Sequence, residues 1–405
     1  MDLLPILATL KRHKTAAGLI VLQVALTCAI VCNALFLISQ RLERINEPSG
    51  LVDDELVVVS VVGVGPSQNA DAQTRTDLQA LRAVPGVQQL SVINQLPFGR
   101  SFSMSTMRTQ ADRNAPGVGV ASYNASEGWL QALGLRLVAG RDFEASEYLD
   151  NSTLEQSETG KVTALVINKA LAERLFPGAD AVGQTLYGIS DEPTRIVGVV
   201  ERLVTPHPGG SDDMNVYSML LPVRESFRGG AYVLRTEPGR REAVLKAAIA
   251  ALDQTGPGRI LRQQQLFSEM RSAYYAQDRN MVHLLVGVCL ALMVVTAFGI
   301  VGLASFWVQQ RTRMIGTRRA LGATRGQILR YFQAENLLLS GLGIVIGMAA
   351  AYGISLLLMQ NYEMPRLPWS YLPVGALVLC ALGQLAVLAP ARRAAALPPV
   401  AALRG

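Results

Sequence analysis

The stretch Asn280–Gln310 reads NMVHLLVGVCLALMVVTAFGIVGLASFWVQQ, 31 residues without one Asp, Glu, Lys or Arg. About 20 apolar residues suffice for an α-helix to cross a hydrocarbon core of about 30 Å, because each adds about 1.5 Å. Three further stretches are charge-free in the same way: Thr15–Gln40, Asn336–Tyr362 and Leu367–Ala391, of 26, 27 and 25 residues. A helix satisfies its own backbone hydrogen bonds, which lipid cannot do for it. The chain is therefore expected to be an integral membrane protein with four transmembrane α-helices in a one-plus-three order, the polar residues 41–279 lying between the first and second.

This reading divides the chain into an interfacial or cytoplasmic segment (1–14), a first span (15–40), an α/β domain (41–259), a stalk helix (260–280), a second span (281–310), a coupling loop (311–335), two further spans (336–361 and 367–391) and a tail (392–405). The apolar core of the first span exceeds the roughly 7–15 residues of a cleaved signal. No small-x-small cleavage site follows it, so it reads as a retained anchor.

Charge sets the expected orientation. The chain of 405 residues has a formal charge of +6 and a mean hydropathy of +0.27. Residues 41–279 hold 24 Lys/Arg against 28 Asp/Glu, and the rest holds 13 Lys/Arg against only Asp2, Glu335 and Glu363. Nucleic-acid binding needs a basic face on a folded domain, and here the large polar domain is slightly acidic. Positive charge beside spans stays in the cytoplasm. Lys11, Arg12 and Lys14 precede the first span, six arginines from Arg311 to Arg330 separate the second from the third, and Arg392, Arg393 and Arg404 follow the fourth. With four spans all three clusters fall on one side, which places both termini in the cytoplasm and the large domain outside. Arg41 and Arg44 run against this rule, which binds long translocated domains less strictly.

All four cysteines, Cys28, Cys32, Cys289 and Cys380, sit inside spans. The large domain has none and is long enough to bury a core without disulfides. Its pattern is mixed α and β, in two subdomains. Glu55–Val64, Val87–Ile93, Val162–Asn168, Arg195–Val200 and Ala231–Arg235 read as strands, being rich in β-branched residues. Thr76–Val84, Lys169–Phe176 and Arg240–Asp253 read as helices, and Trp129–Leu137 as a short one broken by Gly134. Gly99–Gly119 reads as loop or edge strand, and Asp142–Lys161 and Pro206–Asp213 as mobile loops. The fourfold spacing of Leu266, Met270 and Tyr274 predicts a helix over Ile260–Asn280 that runs straight into the second span.

No catalytic constellation is legible. His13, His207 and His283 are too dispersed for one site, and G-x-x-x-x-G-K-[ST], H-E-x-x-H, G-x-S-x-G and C-x-x-C patterns do not occur. Neither a metal nor a cofactor is expected, and the spans lack the buried acids of a proton-coupled carrier. The energy for any work is expected from a partner. The segment Arg311–Arg330, RTRMIGTRRALGATRGQILR, is where a partner would push. Arginines alone would serve as retention charge around a turn. The segment also carries Ile315, Leu321, Ile328 and Leu329, and Gly322-Ala323-Thr324 offers a helix stop followed by an N-cap. A short basic helix with an apolar ridge reads as a docking element.

Arg311-x-Arg313-Met314-Ile315-Gly316-Thr317-Arg318-Arg319-Ala320-Leu321-Gly322-Ala323 resembles the signature loop of the FtsX/MacB-like permeases, the membrane subunits of type VII ABC systems, whose pattern is R-x-R-E-I-G-I-R-R-A-L-G-A. The closing Pro390-Ala-Arg392-Arg393 through Arg404 resembles that family's P-A-R-R-A-A-x-x-x-P-x-E-A-L-R, and Gly140–Phe143, Val166–Pro177 and Ile196–Val200 are similar to its periplasmic core domain. Met314 and Ala401 stand where the family has Glu. The resemblance implies a bacterial inner-membrane permease with a periplasmic α/β domain. It also implies a separate cytoplasmic ABC ATPase docking on Ile315, Gly316 and Arg318 to Ala323, a second permease copy or paralogue as dimer partner, and a periplasmic adaptor. Contact with membrane lipid follows from the spans; no nucleic-acid partner is expected. Gly343 and Gly347 form a GxxxG pair suited either to packing within the chain or to a dimer seam. The implied function is ATP-driven mechanotransmission for export of a peptide, antibiotic or lipid-like cargo. The alternatives are an FtsX-like signalling subunit that switches a cell-wall hydrolase, and an assembly factor.

Overall fold

A computed structural model of the chain describes residues 14–64, 70–156, 161–190, 192–209, 216–226, 230–256, 259–362 and 366–396. The expected interfacial segment before Lys14, most of the tail (397–405, with Ala401) and residues 157–160 and 210–213 of the two expected loops lie outside the described residues. The chain divides into two units, Met1–Asn46 with Gln277–Gly405, and Glu47–Ala276.

Helix α1 (Lys14–Asn46) runs past the charge-free stretch and stops two residues before Pro48, whose ring disfavours helix in the residue it follows. In the inserted unit, β1 (Leu56–Gly63), α2 (Ala70–Arg82) and β2 (Gln89–Ile93) come first. Then follow β3 (Met104–Met107), β4 (Val118–Asn124), α3 (Trp129–Leu133), β5 (Leu137–Gly140), β6 (Leu149–Asp150), α4 (Asn151–Gln156), β7 (Ala164–Asn168), α5 (Lys169–Leu175), β8 (Thr185–Leu186), β9 (Thr194–Val200), β10 (Ser218–Leu221) and β11 (Val223–Arg224). The unit closes with β12 (Ala231–Arg235), α6 (Arg241–Thr255), β13 (Arg259–Leu266) and α7 (Phe267–Tyr274).

The first sheet has the order β13-β1-β12-β2, with every neighbouring pair antiparallel. Strands β1 and β2 are therefore parallel with β12 between them, and β12 and β13 are parallel with β1 between them. These are two interleaved split βαβ units, and the remaining strands are inserted between β2 and β12. Val57, Val59 and Val61 of β1 meet Leu81 of α2 and Val244, Ala248 and Leu252 of α6 in one core. The second subdomain is the sheet β3-β4-β10-β7-β9-β5, with β8 added on β9. Every residue of β7 is buried, and Asn168 at its end caps α5 by accepting from the Leu171 N–H at 3.0 Å.

The segment Gly99–Gly119 is edge strand as expected, in β3, and also holds the start of β4. Other expectations need correction. The described part of Asp142–Lys161 is built rather than loose. It holds a turn in which Glu144 N–H donates to Glu147 at 2.7 Å, then β6 and α4. The stalk helix over 260–280 is not formed over its first part: Arg259–Leu266 is strand β13, paired with β1. Pairing with β1 outweighs the local preference of Gln263-Gln264-Gln265, as tertiary context commonly does. Of the fourfold repeat, Leu266 closes β13 and caps α7 while Met270 and Tyr274 lie within α7, and Tyr275 separates α7 from the following helix.

A buried polar network ties the two helices of the first sheet to its strands. Asp77 of α2, fully buried, accepts from Tyr232 at 2.7 Å, Thr255 at 2.6 Å, Gln73 at 3.0 Å and Arg259 at 2.5 Å. Burial, and then the neighbouring Asp77 charge, push the Tyr232 hydroxyl above its ordinary pKa, so it stays a donor.

After α7 the chain returns to long helices: α8 (Ala276–Gln310), α9 (Thr312–Ala320), α10 (Arg325–Tyr362) and α11 (Tyr371–Ala396). Among the described residues four helices, α1, α8, α10 and α11, are long and apolar enough to cross a membrane. More than half of the apolar window of α1 is buried inside the chain, against 17% for α8, which makes α1 the central helix. Gly343 and Gly347 of α10 lie against it. A Cβ on Gly343 would meet Val21 O at 2.9 Å, and one on Gly347 would meet Ala25 O at 2.6 Å and Cys28 Cβ at 2.5 Å. The GxxxG pair thus packs against α1 within the chain. Thr27 and Thr296 share a hydrogen bond of 2.8 Å, Asn33 donates to Ala351 O at 3.2 Å, and Ser39 meets the Tyr371 hydroxyl at 2.5 Å. Arg41 is paired with Asp278.

Two outcomes follow from this packing. Asp77→Ala leaves Arg259 buried without its partner, and thermal unfolding of the purified chain is expected to show a loss of about 3–5 kcal/mol; a loss under about 1 kcal/mol contradicts the network's role. Gly347→Ala is expected to lower the unfolding temperature in detergent while Gly353→Ala, with nothing within 4 Å of its added Cβ, leaves it unchanged. Equal behaviour of the two variants would contradict the close approach of α1 and α10.

Candidate functional site

The arginine-rich segment folds into an elbow, a helix and a capped turn. Arg311 has φ −104° and ψ 13°, which bends the chain between α8 and α9. Helix α9 ends at Ala320, and Gly322 takes a left-handed φ of +97°. Ala323 N–H donates to Arg318 O at 3.0 Å and Gly322 N–H to Arg319 O at 3.1 Å. This pair of bonds is a Schellman closure, whose left-handed residue favours glycine. Thr324 then opens α10. Its hydroxyl accepts from Gln327 N–H at 3.3 Å while Gln327 Oε1 accepts from Thr324 N–H at 2.9 Å, a reciprocal capping box. The expected stop and N-cap are both present. The expected coupling loop over 311–335 is helical at both ends, and α10 begins at Arg325, 11 residues before the expected third span.

The candidate docking residues separate into two groups. Ile315 and Gly316 are buried, and Ile315 packs with Val308, Ile328, Phe332, Ala391 and Ala394. They hold α9 against α8, α10 and α11 and present nothing outward. Arg319 reaches back, donating from Nη1 to the carbonyl of Ala395 near the end of α11 at 3.0 Å. Arg318, Ala320, Leu321 and Gly322 are exposed and Ala323 is half-buried. Leu321 is 84% exposed. The Arg318 guanidinium lies 5.1 Å from the Tyr331 ring centre, a stacking that aligns the side chain while leaving its charge in solvent. Met314, one turn earlier, is also exposed. The apolar ridge expected from sequence is thus divided, with Ile315 and Ile328 inside and Leu321 outside.

The residue that sequence reasoning missed is Glu335. Arg311 Nη1 donates to both its carboxylate oxygens, at 3.0 and 2.7 Å, with side-chain exposures of 9% and 2%. The Trp307 ring centre lies 5.6 Å from the Arg311 guanidinium carbon. One arginine of the cluster is therefore an internal ion pair that fastens the α8–α9 elbow to α10. The available signal was Glu335 itself, the one acid between the charge-free stretches 280–310 and 336–362. Among the described residues no three His, Cys, Asp or Glu side chains gather as a metal site would require.

Residues 286–399 match the FtsX-like permease C-terminal family, and residues 18–252 match the MacB-like periplasmic core domain. The chain belongs to the MacB/FtsX-type ABC transporter permeases. Its MacB-like part takes in most of α1 and the inserted unit to within α6, and its FtsX-like part most of α8 and all of α9 to α11. An uncharacterized ABC transporter permease of Bacillus subtilis, YknZ, is 24% identical over 340 residues, covering 82% of this chain and 79% of its own length. The macrolide export ATP-binding/permease protein MacB of Rhodospirillum rubrum is 27% identical over 365 residues, covering 86% of this chain. This permease spans about half of that relative, 51% of its length. The crystal structure of the extracellular domain of a YknZ from Gram-positive bacteria aligns over 51% of this chain and all of its own, at 16% identity and a TM-score of 0.31.

The ion pair generates a paired expectation. Arg311→Ala strands the Glu335 carboxylate in the interior and should cost the permease about 3–5 kcal/mol, whereas Arg311→Met combined with Glu335→Leu should recover most of it. Unfolding in detergent measures both, and a double variant as unstable as Arg311→Ala would contradict the account.

Proposed function

We propose that this permease is a mechanotransmission subunit, driven by a separate cytoplasmic ABC ATPase that grips the outward side of α9 and the turn after it. One observation carries the reading. Leu321 stands 84% exposed beside the stacked Arg318, while the opposite side of the same helix is clamped by Ile315, Arg319 and the Arg311–Glu335 pair. A knob that is apolar and cationic outside, and rigidly held inside, suits receiving force from a partner. The three basic clusters support a cytoplasmic location for this segment, both termini included. Pairing of Arg41 with Asp278 offsets one of the two charges that run against that orientation.

Force at α9 passes to α8 through the Arg311 elbow, and α8 follows directly in sequence on α7 of the inserted domain. The domain, on the periplasmic side, then changes shape without cargo threading the spans. A second permease copy or paralogue completes the transporter, with a periplasmic adaptor as a further partner. The two-subdomain insertion favours export over the smaller regulatory version of the family, with a peptide, antibiotic or lipid-like molecule as cargo. Macrolide export is the activity in the name of the MacB relative.

The cleanest disruption avoids Arg319, whose bond to Ala395 is internal. Arg318→Glu combined with Leu321→Glu is expected to lower recovery of the ATPase in pull-downs from native membranes at least tenfold, with the unfolding temperature unchanged. Undiminished recovery would show that the ATPase docks elsewhere.

A further inference from the structure

The inserted domain holds a cavity of about 670 Å³ bounded by β13, the loop at Phe98–Ser101, His207 and α7. Four consecutive residues, Arg262 to Gln265, line it. Side chains along a strand alternate between faces, so four in succession mean that the void wraps the edge of the strand as well as one face. That edge is open: β13 ends its sheet, and among the described residues no strand pairs with its outer side. The register also slips here. Ser60 faces Gln263 and Val61 faces Leu261, leaving Arg262 as the extra, bulged residue. Bulges commonly re-aim a side chain beside a site.

Chemistry and shape point the same way. Arg100 and Arg262 line the cavity with His207, and no Asp or Glu is among the described lining residues. The glutamines supply amide donors and acceptors. On the opposite wall Phe98 holds φ +63°, a left-handed conformation that is strained for so bulky a side chain. Its N–H donates to Pro206 O at 3.0 Å, and its ring lies 5.4 to 5.7 Å from those of Phe267, Tyr274 and Tyr275. The wall is thus fixed in place at a conformational cost.

We propose that this cavity binds an extended acidic segment of a second polypeptide, which adds to the open edge of β13 and places its carboxylates on Arg262 and Arg100. A small anion would use the arginines and leave the strand edge idle. An apolar ligand would bury the glutamine amides without partners, which is unfavourable. An extended peptide satisfies both sets, with backbone bonds giving affinity and alternate side chains giving specificity. The proposal requires neither ATPase nor nucleotide, so it stands or falls separately from the docking at α9.

The test uses the full chain in detergent and a fluorescein-labelled nine-residue peptide of alternating Thr and Glu, read by anisotropy. The peptide is expected to bind at least tenfold tighter than its Thr–Lys counterpart, and more weakly as salt is raised. Arg262→Glu, and independently Arg100→Glu on the other wall, should each weaken binding about tenfold. N-methylation of alternate backbone nitrogens, which removes donors and keeps charge, should do the same. Equal binding of the Lys peptide, indifference to both arginine variants, or full affinity of the N-methylated peptide would overturn the proposal. So would Arg262-dependent capture of phosphatidylglycerol vesicles with no peptide binding.

Discussion

The membrane unit depends on one constraint, that a carboxylate placed where water is scarce must have a partner. Glu335 is that carboxylate and Arg311 is its partner, with exposures of 2% and 9%. The bond is not decoration on a finished helix bundle. Arg311 sits at the bend between α8 and α9, and Glu335 lies in the third turn of α10, so satisfying the charge also fixes the direction of α9. Ile315 then has a place among Ile328, Phe332 and Ala391, Arg319 can reach Ala395, and Leu321 is left outside. The exposure of Leu321 follows from the internal bond.

A comparable division runs through the rest of the spans. Helix α1 is joined to α10 by the absence of side chains at Gly343 and Gly347 and by Asn33, which donates to the Ala351 carbonyl. Its polar links to α8 include Thr27 with Thr296, Gln23 with the Val295 carbonyl at 3.0 Å, and Arg41 with Asp278. In lipid the hydrophobic effect does not hold helices together, so small residues and polar bonds carry the association. The helix least buried by its neighbours, α8, is the one that connects α9 to the inserted domain in sequence.

Much of this architecture was legible in the sequence, because the decisive signals are local. Missing charge marks the spans. Gly322 and Thr324 mark the stop and restart of helix, since only backbone geometry and one hydroxyl are required. The helix expected over Arg240–Asp253 forms as α6, with Val244, Ala248 and Leu252 packed against β1. The failures are the non-local features. Nothing in Arg259–Leu266 states that β1 has an edge to be filled, so a helix was expected where β13 forms. Nothing in the arginine cluster states which members turn inward. Arg311 and Arg319 are committed to Glu335 and Ala395, while Arg318 lies on Tyr331 with its charge exposed. The family's signature pattern names these arginines together, and only their surroundings separate Arg311 and Arg319, which bond inward, from Arg318, which faces outward.

The most direct test of the account is the sidedness of the exposed turn. Leu321→Cys and, as the outward control, Gln110→Cys in the inserted domain can each be treated in intact spheroplasts with a membrane-impermeant maleimide. The native thiols Cys28, Cys32 and Cys289 are buried, and the half-buried Cys380 is replaced by Ser in both variants. The account predicts that Gln110→Cys is labelled at once and that Leu321→Cys reacts only after the membrane is opened. Labelling of Leu321→Cys from outside intact spheroplasts would contradict it, because no cytoplasmic ATPase could then reach α9.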